Sequence, residues 1–251
     1  MAPARFHFCA LVVAVLSCSV LPAAAGEILY MGQSAPFVSA DLNVIDRLEN
    51  VLGHNVTYVN HDEDPSPYLP GADLVIISSS VNSGMARDSF GGATALRNLN
   101  KPIMLWEDAL LDELQMKTTT GGALGQTQIT IVDDSHPLAA GLSGVVDYLN
   151  NAAQMSHGFG SVGAGIQVIA TVENGGPQSC LFLYPKGSLL ADGGTAPAAR
   201  LMYPLFDSTF DELSADGLTL FDTAVNYIIP EPATMCLLGV GALALLRRRR
   251  Y

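Results

Sequence analysis

Four short apolar runs constrain the fold more than any other feature of this chain: 27–32 (EILYMG), 55–60 (NVTYVN), 72–79 (ADLVIISS) and 102–106 (PIMLW). Runs apolar at both alternating positions read as strands covered on both faces, the situation of a parallel sheet between helices. From Asp41 to Leu52 the residues Leu42, Ile45, Leu48 and Leu52 recur at three- and four-residue steps, with Asp41 placed to open a helix and Gly53 to end it. Residues 90–99 read as a second helix despite their glycines. Further strands are expected at 128–132, 167–172, 180–184 and 200–206, the last interrupted by Pro204. A final helix opens at Ser214 or Asp216 and sets Leu218, Phe221, Val225 and Ile228 on one face. Strands alternating with helices predict an α/β fold, an open and mostly parallel sheet flanked by helices. The Gly/Ser/Thr-rich stretches 118–125 and 158–165 read as exposed loops.

The two ends carry a different signal, and they divide the chain into 1–25, 26–229 and 230–251. Arg5 precedes an apolar stretch from Phe6 to Leu21, and Ala23-Ala24-Ala25 supplies the small residues that a signal peptidase accepts. Val15-Leu16-Ser17-Cys18 loosely resembles a lipobox, but the Ala-x-Ala site at Ala23 and Ala25 favours ordinary cleavage. At the other end Pro230-Glu231-Pro232 breaks the preceding helix, because proline lacks a backbone donor and fixes φ. An apolar segment, 233–246, then runs into Arg247, Arg248, Arg249 and Arg250, a positive stop that keeps the extreme C-terminus in the cytoplasm. Fourteen apolar residues fall short of the roughly 20 of a typical membrane span, and snorkelling arginines extend their reach.

Between those ends the charge is one-sided. Residues 27–229 hold 7 basic and 23 acidic residues, a formal −16, and no basic patch, which argues against nucleic-acid binding. Of four cysteines only Cys180 lies in this region, so no disulfide framework supports it, and a buried structural thiol is the expected role.

The ordered tail of Pro-Glu-Pro, apolar run and arginine cluster resembles the PEP-CTERM sorting signal of Gram-negative bacteria. That resemblance implies export across the inner membrane, transient anchoring by the tail and cleavage near Pro230-Glu231-Pro232 by an exosortase. Delivery would follow to the cell surface or extracellular matrix, often among exopolysaccharide. The middle resembles the flavodoxin-like domain of the class I glutamine amidotransferase superfamily, ThuA-like members included. The residues that carry this are 72–78 and 101–107 as successive strands, the segment His136-Pro137-Leu138-Ala139-Ala140-Gly141-Leu142, and Arg200-Leu201-Met202-Tyr203 before the terminal helix. In that superfamily a nucleophile, usually Cys, sits on a tight elbow whose helix amide helps build an oxyanion hole. The matching position holds Glu107-Asp108-Ala109. A carboxylate there repels a developing oxyanion, so the resemblance implies a binding or matrix-associated module without that activity.

A site in an open α/β sheet lies beyond the carboxyl ends of its strands. The groups expected there are Gln33 and Ser34, His61-Asp62-Glu63-Asp64, Ser78-Ser79-Ser80 and Glu107-Asp108. The His61 segment reads as a solvated acidic turn, with a divalent-cation site as the functional alternative; no cofactor or metal is expected. His157, in a polar loop, is best placed for a general base, and His61 and Ser80 complete the candidates for a secreted hydrolase, the alternative to the binding module. His136 reads as a cap or packing residue, and Trp106 as core.

Overall fold

A computed structural model describes residues 25–33, 39–173 and 175–229. The expected signal peptide up to residue 24, Ser34, and the tail from Pro230 with its arginines lie outside the described residues. Among the described residues no helix is long and apolar enough to cross a membrane.

The strands in chain order are β1 (Glu27–Gly32), β2 (Asn55–Asn60), β3 (Leu74–Ile77), β4 (Ile103–Leu105), β5 (Gly121–Gln126), β6 (Gln128–Ile131), β7 (Gly144–Asp147), β8 (Ala153–Gly158), β9 (Gln167–Glu173), β10 (Pro177–Tyr184) and β11 (Arg200–Met202). The α-helices are α1 (Ser39–Asp46), α2 (Ser83–Ser89), α3 (Ala93–Arg97) and α4 (Ala215–Ile228). Nine strands make one sheet in the order β2-β1-β3-β4-β11-β10-β9-β6-β7, and β5 pairs with β8 in a separate ribbon. The first five strands of that order run parallel. The remaining neighbours, from β11–β10 to β6–β7, are antiparallel. The α/β expectation therefore holds, but the sheet is mixed rather than mostly parallel. One of these pairings is set locally: β9 and β10 are joined within a few residues through Gly175 and Gly176, both at positive φ, and so short a link joins only antiparallel strands.

Alternation along the strands loads both faces of the sheet. Ile28 and Tyr30 of β1, with Leu74 and Ile76 of β3, pack under α1 and α4. Leu29, Met31, Val75 and Ile77 pack on the other side with Ala86 of α2 and Leu96 of α3. On α4 the expected apolar face is real: Phe221, Val225 and Ile228 are buried, and Leu218 packs against them. The first helix begins at Ser39 rather than Asp41, and its last turn, Arg47–Val51, is π-helical, with the Leu52 amide bonded to the Arg47 carbonyl. Its phase differs from the expected one, so Val44 and Leu48 are buried while Leu42 stands exposed. The Arg47 guanidinium grips both Asp222 carboxylate oxygens at 2.6 and 2.7 Å, joining this turn to α4. Residues 90–99 are broken by Gly91 and Gly92, both at positive φ, so α3 is a single short turn and α2 precedes the break. The stretch 118–125 is largely strand β5 rather than an exposed loop.

Arg200 is fully buried with no acidic partner among the described residues. Its guanidinium donates to the carbonyls of Leu99 (2.5 Å), Lys101 (2.8 Å) and Ala199 (3.1 Å), tying the α3–β4 connection to β11. Burial pushes its pKa down to about 10, still far above neutrality, so the group remains a cation held by backbone dipoles. Replacing Arg200 by Met leaves those carbonyls buried without donors. We expect a loss of about 2–4 kcal/mol in urea unfolding, with the slope unchanged.

Candidate functional site

The carboxyl ends of the parallel strands converge on Asp41. This residue is 2 % exposed on the inner side of α1 rather than a cap at its start. Its Oδ1 accepts from the Tyr30 hydroxyl and Ser78 Oγ, both at 2.6 Å, and its Oδ2 from Ser80 Oγ at 2.5 Å. Ser78 Oγ in turn accepts from the Trp106 indole N–H and the Ser80 amide, each at 3.2 Å, and Ser80 Oγ accepts from the Gln33 amide at 3.1 Å. One carboxylate thus links β1, α1, the loop after β3 and the end of β4. Gly32 makes that approach feasible: a Cβ there would lie 2.8 Å from Asp41 Oδ2 and 2.8 Å from the Tyr58 hydroxyl. Burial raises the Asp41 carboxyl above its ordinary range, outweighing the hydroxyl donors from Ser78, Ser80 and Tyr30 that lower it.

Beside this network lies a second group of acids. Glu107 is 7 % exposed and follows β4, and its carboxylate accepts from the Ala109 amide at 3.2 Å as the cap of a short 3₁₀ turn, Asp108–Leu110. Burial, and then the charge of Asp108, pushes Glu107 up to about 8, with Asp207 adding to the rise. Asp108 and Asp207 are raised chiefly by burial too. The backbone at Glu107 is relaxed, φ −78° and ψ 99°, whereas a nucleophile elbow is a strained strand-to-helix turn. Both the side chain and the backbone at this position depart from the amidotransferase pattern.

The β5–β8 ribbon lies over this end of the sheet. Ser156 Oγ donates to the Trp106 carbonyl at 2.8 Å, and Thr209 Oγ1 donates to the Gln154 carbonyl. His157 therefore sits in strand β8 and is fully buried, edge-on to the Phe159 ring at 4.6 Å, rather than in a polar loop. Burial, and the charge of Lys117, lower its affinity for a proton. His61 Nδ1 accepts from the Asn82 amide at 3.2 Å, ahead of α2. The proton of Ser80 is committed to Asp41 rather than to a histidine. Among the described residues no group of three or more His, Cys, Asp or Glu side chains is arranged to hold a metal ion. Of the expected strand-end residues, the structure brings together Gln33, Ser78 and Ser80, with the core residue Trp106 joining them, and sets Glu107 with Asp108, while His61 turns to the α2 entrance. His136 is a cap, its Nδ1 accepting from the Leu138 amide at 3.1 Å.

The residue that sequence reasoning misplaced is Asp41. Its position before an apolar helix matches a cap, and only the spacing of Tyr30, Ser78 and Ser80 in three dimensions shows a buried acceptor. The ribbon strand at Gln154, Met155, Ser156 and His157 carries no apolar alternation in sequence, and its polarity concealed it.

Comparison with known proteins bears on both parts of the chain. Residues 229–250 match the family model described as a PEP-CTERM protein-sorting motif. The chain carries that motif. It implies export, surface association and processing by an exosortase. No curated protein matches the sequence. Among solved structures, a ThuA-like protein from Bacteroides uniformis ATCC 8492 superposes with a TM-score of 0.56 at 13 % identity, covering 84 % of this chain and 95 % of that one. The glutaminase domain of Trypanosoma brucei CTPS with bound acivicin aligns at a TM-score of 0.44 and 14 % identity, over 82 % and 97 % of the two chains. The ThuA-like fold is shared.

Two outcomes follow from the buried acids. Asp41→Ala leaves three buried hydroxyls without their acceptor and is expected to cost about 2–4 kcal/mol in denaturant unfolding. Glu107 ionises near 4.5 when unfolded and near 8 when folded. A raised folded value favours the protonated form, so its contribution to stability is complete below about pH 4.5, declines up to about pH 8 and is flat above. Glu107→Gln keeps the acceptor for the Ala109 amide and removes this decline. Above pH 8 the variant should be more stable than the parent by at least about 1 kcal/mol, read from unfolding curves at pH 5 and pH 9.

Proposed function

We propose that this chain is an exported protein whose signal peptide is removed after Ala25 and whose tail is cut by an exosortase near Pro230-Glu231-Pro232. The α/β domain, 26–229, is then delivered to the cell surface or extracellular matrix as a non-catalytic binding module. The sorting motif over 229–250 supports the delivery. The observation that supports the non-catalytic reading is Glu107: a buried carboxyl on relaxed backbone stands at the position that the resemblance assigns to the superfamily's nucleophile. An anion there opposes the negative charge that acyl transfer develops on a carbonyl oxygen, and a neutral carboxyl is a poor nucleophile. Cys180 does not substitute for it, because full burial drives its thiol pKa far up and leaves it unionised at neutral pH.

Mass spectrometry of protein from the native host tests the delivery. The expected product begins at Gly26 and lacks Arg247–Tyr251; recovery of the intact arginine cluster on the mature protein removes the sorting reading. Glutamine hydrolysis tests the second half, with ammonia release expected at background and unaffected by Glu107→Gln. Iodoacetamide should leave Cys180 unmodified under native conditions and modify it in urea.

A further inference from the structure

The points where the two processing segments leave the fold are in contact. Among the described residues Ala25 is exposed while Gly26 is buried, so burial changes at the proposed cleavage point. The Gly26 amide donates to His54 Nδ1 at 3.0 Å, and its carbonyl accepts from the Asn55 amide at 3.0 Å. Ile229, the last described residue, packs on the same glycine: a Cβ on Gly26 would lie 3.0 Å from Ile229 Cδ1. Both ends therefore leave from one corner, at the amino end of β1. Only residues 230–232 separate that corner from the apolar run, and three residues span at most about 10 Å even when fully extended.

We infer that, while the tail is intact, the domain stands on the bilayer on the amino-end edge of its parallel strands, with the Asp41 and Glu107 end pointing away. This rests on the proposed anchoring of the tail in the membrane. The strand β1, six residues long, puts about 20 Å between the two ends. The edge facing the lipid carries exposed apolar and aromatic side chains suited to a headgroup interface. Val51 lies beside His54, Tyr227 beside Ile229, and Tyr68 lines a hollow of about 240 Å³ with Glu27, Gly71 and Ala72. The partner is a phospholipid headgroup surface held in place by the tether. Glu27, Glu49 and Asp73 on the same edge oppose an anionic surface, so cutting the tail removes the contact instead of leaving a bound domain. Until then the strand-end face points away from the bilayer and the amino-end edge is masked.

The test uses the full-length chain with Cys9, Cys18 and Cys236 replaced by Ser, since buried Cys180 does not label. Single reporters are placed by Val51→Cys, Tyr227→Cys, Met85→Cys and Leu246→Cys, each carrying a fluorophore. The proteins are reconstituted in phosphatidylcholine–phosphatidylglycerol vesicles doped with a headgroup nitroxide lipid and an acyl-chain nitroxide lipid in separate preparations. Expected is acyl-chain quenching at 246 and headgroup quenching several-fold stronger at 51 and 227 than at 85, on α2 near the other end. Equal quenching at 51, 227 and 85, or stronger quenching at 85, overturns the orientation while leaving the anchoring in place. Absence of acyl-chain quenching at 246 overturns the anchoring reading and the orientation with it.

Discussion

The Asp41 carboxylate is the interaction on which the upper end of the fold depends. Parallel strands end in loops that must fold back over exposed strand termini, and each loop brings polar groups that need partners. Here one buried acid accepts from Tyr30, Ser78 and Ser80, and Ser78 passes the network on to Trp106. The arrangement is dense with short hydroxyl bonds and has no countercharge on Asp41 itself. Gly32 completes it by letting β1 pass close to the carboxylate. In this way the place where an open α/β sheet ordinarily binds a ligand is partly filled by the protein's own side chains.

That filling, together with the acid at position 107, is what the proposed non-catalytic reading rests on. Catalysis at an elbow needs a nucleophile projected by strained backbone toward amide donors. Glu107 instead spends its acceptor on the Ala109 amide and sits in a field of like charge from Asp108 and Asp207. The fold is a scaffold on which either chemistry or binding can be built, and the site residues decide between them. The acid-rich surface favours solubility.

The buried cation Arg200 plays the complementary part at the other end of the sheet. There the α3–β4 connection presents carbonyls rather than hydroxyls, and a five-donor guanidinium serves several at once. Acceptor at one end and donor at the other, both buried and both unpaired with opposite charge, hold the loops that short strands such as β4 and β11 cannot hold alone.

Much of this was legible in one dimension. The strands 27–32 and 72–79 declare themselves because a buried strand is apolar at nearly every position, the edge strand 55–60 declares itself by its β-branched and aromatic residues, and the tail declares itself because proline, greasy run and arginines act through local chemistry. The buried face of α4 follows from its period. The ribbon of β5 and β8, the burial of His157 and the role of Asp41 were not legible in the same way. Polar residues such as Gln154, Ser156 and His157 look like a loop until a neighbouring strand satisfies their backbone and covers their side chains. Asp41 looks like a cap until Tyr30, Ser78 and Ser80, 11 to 39 residues away, arrive around it. Sequence by itself determined the parallel strands, the terminal helix and the C-terminal sorting motif, since each depends on neighbours a few residues apart. Only the tertiary structure decided the antiparallel half of the sheet, the closed strand-end network and the meeting of Gly26 with Ile229, because those depend on contacts between segments distant along the chain.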